Sequence, residues 1–245
     1  MSLDRVGPEI ELKIIKILSL GLLCFVVGLN FPLETQSSSI SPSPPVLETL
    51  NSDIQQVLMV DASSGSSKAD LTVWEKRQNH WQSVFESMPA VVGRNGVVSS
   101  DQKKEGDGHT PSGIYALGTA FGYAPTVLTK LSYRPVTTHD FWVDDPTSIQ
   151  YNRWVTDTPH AKSFERLKRE DDLYKYAVVI EYNTNPVVPG KGSAIFLHVW
   201  RDFVTPTAGC VALSEENIVR LLSWLDHSRH PVIIITPSAK ESSVQ

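Results

Sequence analysis

AIFLHVWRDFVTPTAGCVAL, residues 194–213, is the stretch whose reading decides the fold. Ile195, Leu197 and Val199 share one side of an extended chain, and Ala194, Phe196, His198 and Trp200 share the other. Both sides are largely apolar, so the segment reads as a strand buried on both faces. A turn-rich segment follows, ending in Thr207-Ala208-Gly209, and then Cys210 opens a second apolar run. Cys210 lies twelve positions beyond His198. A free thiol titrates near ~8.5, so at neutral pH only a small fraction is thiolate. An imidazole nearby lowers that value or takes the proton, which makes sulfur a competent nucleophile. His198 is therefore expected to act as base and then acid, with the Cys210 thiol depressed below its ordinary range. Gly209 permits close backbone approach to a substrate, and amides around it are expected to face a developing oxyanion. A buried cysteine and a histidine on an apolar strand are also ordinary structural residues. Two further features carry the functional reading.

The first is a resemblance. His198 followed by Thr207-Ala208-Gly209-Cys210-Val211-Ala212-Leu213 resembles the active-site motif of the L,D-transpeptidase (YkuD-type) family, which carries an upstream His and then a Ser/Thr-His-Gly-Cys block. The segment GDGHTPSG, residues 106–113, resembles that family's Thr-Pro-x-Gly strand start. The likeness covers residues 55–236 and is nearest to a branch reading Thr-Ala-Gly-Cys. Ala208 stands where the block usually carries His, and Ala212 where Arg or Asn is usual. The resemblance implies a mostly β (α+β) fold: a twisted mixed sheet or sandwich with one helix after the nucleophile and an inserted aromatic loop. It also implies a peptidoglycan stem peptide as substrate, attacked by Cys210 to give a thioester. The acceptor is an amine of another stem or water. An L,D-carboxypeptidase or hydrolase with the same pair, and a wall-binding scaffold without activity, remain as alternatives. Thr207, Asn152, Arg153 and Arg201 are expected to contact substrate. Arg201 would supply the positive group absent at position 212, because arginine binds carboxylates with two hydrogen bonds.

The second feature is compartment. Residues 17–33 form an uncharged, mainly apolar run preceded by Lys13 and Lys16. Its length is at the lower limit for a spanning helix, and no clear small-x-small cleavage site follows. An uncleaved membrane anchor is favoured over a cleaved signal, with the remainder outside the cytoplasm. Cys210 is the only cysteine beyond that run, so it has no disulfide partner in an oxidising compartment, and catalysis gives a lone thiol a reason. The expected organisation is a tip and anchor or signal at 1–33, a Ser/Pro-rich tether at 34–53, the catalytic domain at 54–237, and a polar tail at 238–245.

Within the domain, residues 54–62 and 69–85 read as antiparallel strands, the second breaking near Arg77-Gln78-Asn79. Residues 121–170 read as an aromatic, mostly irregular wall of a substrate cleft, in which Asp144 and Asp145 join Asn152 and Arg153 as polar contacts. Residues 163–174 read as a short charged helix. Ser214 is expected to cap a helix to Asp226, with Ile218, Leu221, Leu222 and Leu225 as its buried stripe. The net charge of -5 gives no sign of nucleic-acid binding. The histidines lack metal spacing apart from His227-x-x-His230, which suits a helix end. No metal or other cofactor is expected.

Overall fold

The computed structural model describes residues 43–63 and 65–237. The expected anchor or signal, most of the tether and the tail at 238–245 lie outside the described residues. Among those described, no helix is long and apolar enough to cross a membrane.

Strand β1 (Gln56–Ala62) pairs antiparallel with β2 (Lys68–Arg77), which turns into β3 (His80–Ser83). Gln78 and Asn79 make that turn at φ 50° and 63°. Two successive left-handed residues match the twist of a hairpin. Strand β4 (Met88–Val91) pairs with β2. Strands β5 (Val97–Ser99) and β7 (Tyr133–Pro135) run parallel to opposite ends of the long β6 (Thr110–Gly122). Strands β8 (Asp140–Val143), β9 (Trp154–Thr156) and β10 (Phe164–Arg166) form a separate small sheet with β8 central. Then come β11 (Tyr176–Ile180), β12 (Phe196–Val199), β13 (Val211–Leu213), helix α1 (Glu215–Trp224) and β14 (Val232–Pro237).

Pairing in the main sheet runs β1–β14–β6–β11–β12–β13–β4–β2 and returns to β1, so the sheet closes on itself. Closure leaves no free edge around that circuit. Among the described residues the fold is mostly β with one α-helix, as expected. The inward side chains, including Leu58, Val73, Ile180, Leu197 and Ile233, form one core with the stripe of α1. Ser214 caps α1 by accepting from the Asn217 N–H at 3.3 Å, a contact worth about 1 kcal/mol.

Period-two alternation then sends Phe121, Ala177 and Phe196 to the outer face of β6, β11 and β12. The small sheet covers that face, and Trp142, Tyr174 and Cys210 belong to this second apolar cluster. The segment expected to be an irregular wall thus contains β7, β8, β9 and β10. The helix expected at 163–174 is absent: residues 164–166 form β10 and turns follow. Tertiary packing overrides helix propensity here. Phe164 meets Phe141 edge-on at 5.0 Å, Leu167 is fully buried, and Arg166 lies 5.3 Å over the Phe141 ring.

His227 and His230 flank a 3-10 turn rather than the end of α1. A third cluster lies where the tether was expected to continue. Residues 45–49 form a 3-10 turn whose Leu47 is wholly buried against Val57, Trp74, Trp81, Val232 and Ile234. Ordered packing on the barrel therefore begins before position 54.

Candidate active site

The site forms where β12 and β13 lie side by side in parallel, with His198 opposite Ala212. One step back along the same register sets Cys210 beside Phe196, whose N–H donates to Cys210 Sγ at 3.4 Å. Cys210 and His198 are therefore diagonal neighbours, and diagonal Cβ atoms of paired strands sit roughly 7 Å apart. The sulfur donates in turn to the Ala194 carbonyl at 3.2 Å. His198 Nδ1 meets the Val199 carbonyl at 2.7 Å. A carbonyl only accepts, so Nδ1 carries the hydrogen and Nε2 keeps the lone pair a base needs. The two side chains share a cavity, yet among the described residues no hydrogen bond joins them.

Burial governs both groups. The His198 imidazole, 5% exposed, is pushed down to about 4, mainly because desolvation disfavours its cation. The Cys210 thiol is pushed up to about 12 by desolvation first and by the Glu165 carboxylate second, against the help of the Phe196 N–H. The expected depressed thiol is thus not the resting condition: the pair rests neutral.

The loop that leads into Cys210 is pinned from within. Thr207 Oγ1 donates to the Cys210 carbonyl at 2.7 Å and accepts from the Gly209 N–H at 3.1 Å. Thr110 Oγ1 also donates to the Cys210 carbonyl, at 3.3 Å. A Cβ on Gly209 would lie 3.0 Å from the His109 carbonyl oxygen, which is why glycine suits this position. The Gly209 amide, expected to face an oxyanion, is engaged inside the loop in this state.

The cavity holds about 410 Å³ and is bordered by Cys210, His198, Gly209, Thr207 and Arg201. Asn152 and Arg153 do not border it. Arg153 is exposed, and Asn152 is buried as a latch. Its Oδ1 accepts from Trp142 Nε1 at 2.8 Å and from the Ala194 N–H at 3.1 Å. Its Nδ2 donates to the carbonyls of Tyr182 and Asn183 at 3.1 and 2.7 Å. That latch holds Ala194 at φ 53°, a left-handed conformation costly for alanine, and Ala194 is the residue whose carbonyl receives the thiol. Asp145, also expected to contact substrate, is taken up by Thr147 and the Lys162 N–H. Arg201, 57% exposed, lies at the rim and shares Asp171 with Arg169, at 3.2 and 2.7 Å.

Asp144, expected as a polar contact of the cleft, does border the cavity, whereas sequence reasoning missed its other charged groups, Lys103, Glu105, Glu165 and Arg169, with Tyr174 beside them. Tyr174 donates to Glu165 Oε2 at 2.5 Å, and its ring stands edge-on to His198 at 5.2 Å. Glu105 accepts from Tyr151 and, at 2.7 Å, from Ser193. Charged residues paired with later aromatics were the available signal. Among the described residues no His/Cys/Asp/Glu group is arranged to hold a metal ion.

The sequence matches the YkuD L,D-transpeptidase catalytic domain over residues 55–234, so the chain belongs to that family. Its structure is similar to Bd1075 of Bdellovibrio bacteriovorus, at 18% identity and TM-score 0.41, over 76% of this chain and 49% of that one. It is also similar to the helical cell shape determining protein Pgp2 of Campylobacter jejuni, at 17% identity and TM-score 0.41, over 80% and 55% of the two chains. This chain corresponds to about half the length of those two proteins. No curated protein matches the sequence.

Proposed function

We propose that this chain is a cysteine acyltransferase acting on peptidoglycan stem peptides outside the cytoplasm, held by or secreted through its N-terminal apolar segment. The observation that carries the reading is the meeting of Cys210 and a base-competent His198 in one cavity, within a chain of the L,D-transpeptidase family. Cys210 Sγ attacks the carbonyl at the L-centre of the stem, and the thiol proton passes by way of His198 Nε2 to the departing terminal D-amino acid. The thioester is then resolved by an amine of a second stem, giving a cross-link. Arg201, which shares Asp171 with Arg169 at the rim, would meet the carboxylate of the departing residue.

Incubating the protein with defined tetrapeptide stems and weighing the products tests this. The expected products are a thioester on Cys210, free terminal D-amino acid and an amide-linked dimer. Cys210→Ala should form no acyl-enzyme. A carbapenem should leave one adduct, on Cys210. Free D-amino acid without dimer would replace transfer by carboxypeptidase action. A Cys210 inert toward stem and carbapenem at every pH would leave a wall-binding scaffold. Membrane fractionation with N-terminal sequencing separates anchoring from secretion.

A further inference from the structure

Amide formation from a thioester has a requirement that hydrolysis lacks. An amine in water at neutral pH is an ammonium ion without a lone pair, so something must remove a proton before it can attack. His198 is committed at that stage to the sulfur it must reprotonate. A second base is needed, and it should stand near Cys210 where an incoming cation is welcome.

Glu165 meets that description. It borders the cavity that contains Cys210, and it also borders a second, more open groove lined by Thr138, Phe164, Arg166 and Lys168. The carboxylate therefore stands in the partition between the thioester side and an outer approach. Its Oε2 is held by the Tyr174 hydroxyl at 2.5 Å. Asp144 and Glu105 border the same cavity, as do the cations Lys103 and Arg169, and among the described residues Asp144 Oδ1 is buried with no partner and is free to accept from an incoming donor.

We propose that Glu165 receives the acceptor amine as an ammonium ion and takes one of its protons, making the amine nucleophilic toward the Cys210 thioester. The assignment rests on the acyl-transfer reading above and specifies its second half. Desolvation drives the exchange. Burial disfavours both the ammonium and the carboxylate, so a proton moving between them leaves two neutral groups. Glu165 is already raised above the usual carboxylate range by burial, with the charges of Asp144 and Glu105 adding to it and Tyr174 and Arg169 opposing. The amine nitrogen then bonds to the thioester carbon, the C–S bond breaks, and sulfur leaves as thiolate. The second amine proton reaches the sulfur by way of His198 Nε2, and Glu165 returns the first to solvent through the outer groove.

The test uses the full-length protein loaded with acyl group from a tetrapeptide stem. Transfer at pH 7 is followed by mass spectrometry to two nucleophiles, Nα-acetyl-lysine, whose amine is charged, and hydroxylamine, which is not. Glu165→Gln keeps the size and the acceptor for Tyr174. It should slow transfer to acetyl-lysine by about 10²-fold relative to acylation, and transfer to hydroxylamine far less. Equal losses with both nucleophiles would overturn the assignment, as would no loss. A wild-type acyl-enzyme that passes to water but never to acetyl-lysine would overturn it while leaving the thioester chemistry standing. A wild type that forms no acyl-enzyme would remove both. Should the Gln variant fail to fold, Tyr174→Phe serves. Losing its hydrogen bond should shift the pH profile of transfer upward, because that bond favours the Glu165 carboxylate, and an unmoved profile counts against the base.

Discussion

The cavity has two walls of different material. One is β12 with the start of β13: every residue of both strands is buried, and the polar contacts of the Cys210 sulfur are to backbone. The other is the small sheet and the turns after β10, where cations lie over rings. Arg169 lies 5.1 Å over Tyr174, Lys168 3.7 Å over Tyr123, and Arg134 4.2 Å over Trp154. The first wall keeps its titratable groups neutral, since burial lowers His198 and raises Cys210. The second pairs part of its charge, as the Asp171 carboxylate, held low chiefly by its hydrogen bond from Arg169, illustrates, while burial raises Glu165 beside it. On the acyl-transfer reading proposed above, the contrast becomes a division of labour: the stiff apolar wall places the nucleophile, and the charged wall receives substrate.

The strongest way to break that comparison is to remove the base from the first wall. His198→Gln leaves both sulfur contacts in place and should slow single-turnover acylation by about 10²–10⁴-fold. A loss below about threefold would move proton transfer to the second wall. The same variant reports on stability. Wild-type His198 falls from 6.5 to about 4 on folding, so between those values the unfolded chain binds a proton that the folded chain refuses. The contribution is complete above the unfolded value and is lost as pH falls toward the folded one, amounting to about 3 kcal/mol. Urea unfolding across that window should lose this component of its slope in His198→Gln.

Cutting the tie between the walls should have the next largest effect. Asn152→Ala strands the Trp142 and Ala194 N–H groups in a buried place and puts alanine where φ is 54°. Each orphaned donor costs about 1–3 kcal/mol, so a loss of roughly 2–4 kcal/mol is expected in denaturant unfolding. Alkylation of Cys210 should quicken at the same time, because the Ala194 carbonyl no longer holds the thiol. A loss under about 1 kcal/mol would mean that the walls stand independently.

The smallest effect belongs to the rim. Arg201 is mostly exposed, and Arg169 already neutralises their shared Asp171, so Arg201→Ala should weaken stem-peptide binding by no more than about fivefold. Steady-state KM and kcat separate this from a catalytic defect, and a fiftyfold rise in KM would make Arg201 the principal grip.

The first wall was legible in the sequence because its signals are local. An apolar run on both faces makes β12, and Ser214 with Glu215 and Glu216 starts α1. The second wall was not, because its order is imposed by distant partners. Ser163–Tyr174 carries the charge density of an exposed helix. Glu165 is nevertheless drawn in by Tyr174, and Leu167 is buried beside the outer face of the barrel. Asn152 looked like a substrate contact because polar loop residues near a cleft usually are free. Nothing in its neighbourhood of sequence announced that Trp142, Tyr182, Asn183 and Ala194 would claim it.

The closing of the barrel by β14 bears on how the chain is made. Strand β14 lies between β1, which it meets in parallel from Val57↔Val232 onward, and the first half of β6. Strands β1 and β6 precede β14 in the chain, so wherever the chain emerges vectorially each waits with one edge bare until β14 arrives. Parallel pairing between the two ends of a domain is slow, because nearly the whole chain must be drawn into a loop first. Bare edges meanwhile offer a template to any other extended chain. The folding chain should therefore be most exposed to aggregation in the interval before Val232–Pro237 joins the sheet. A chain stopped short of that strand would be an open sheet rather than a smaller barrel.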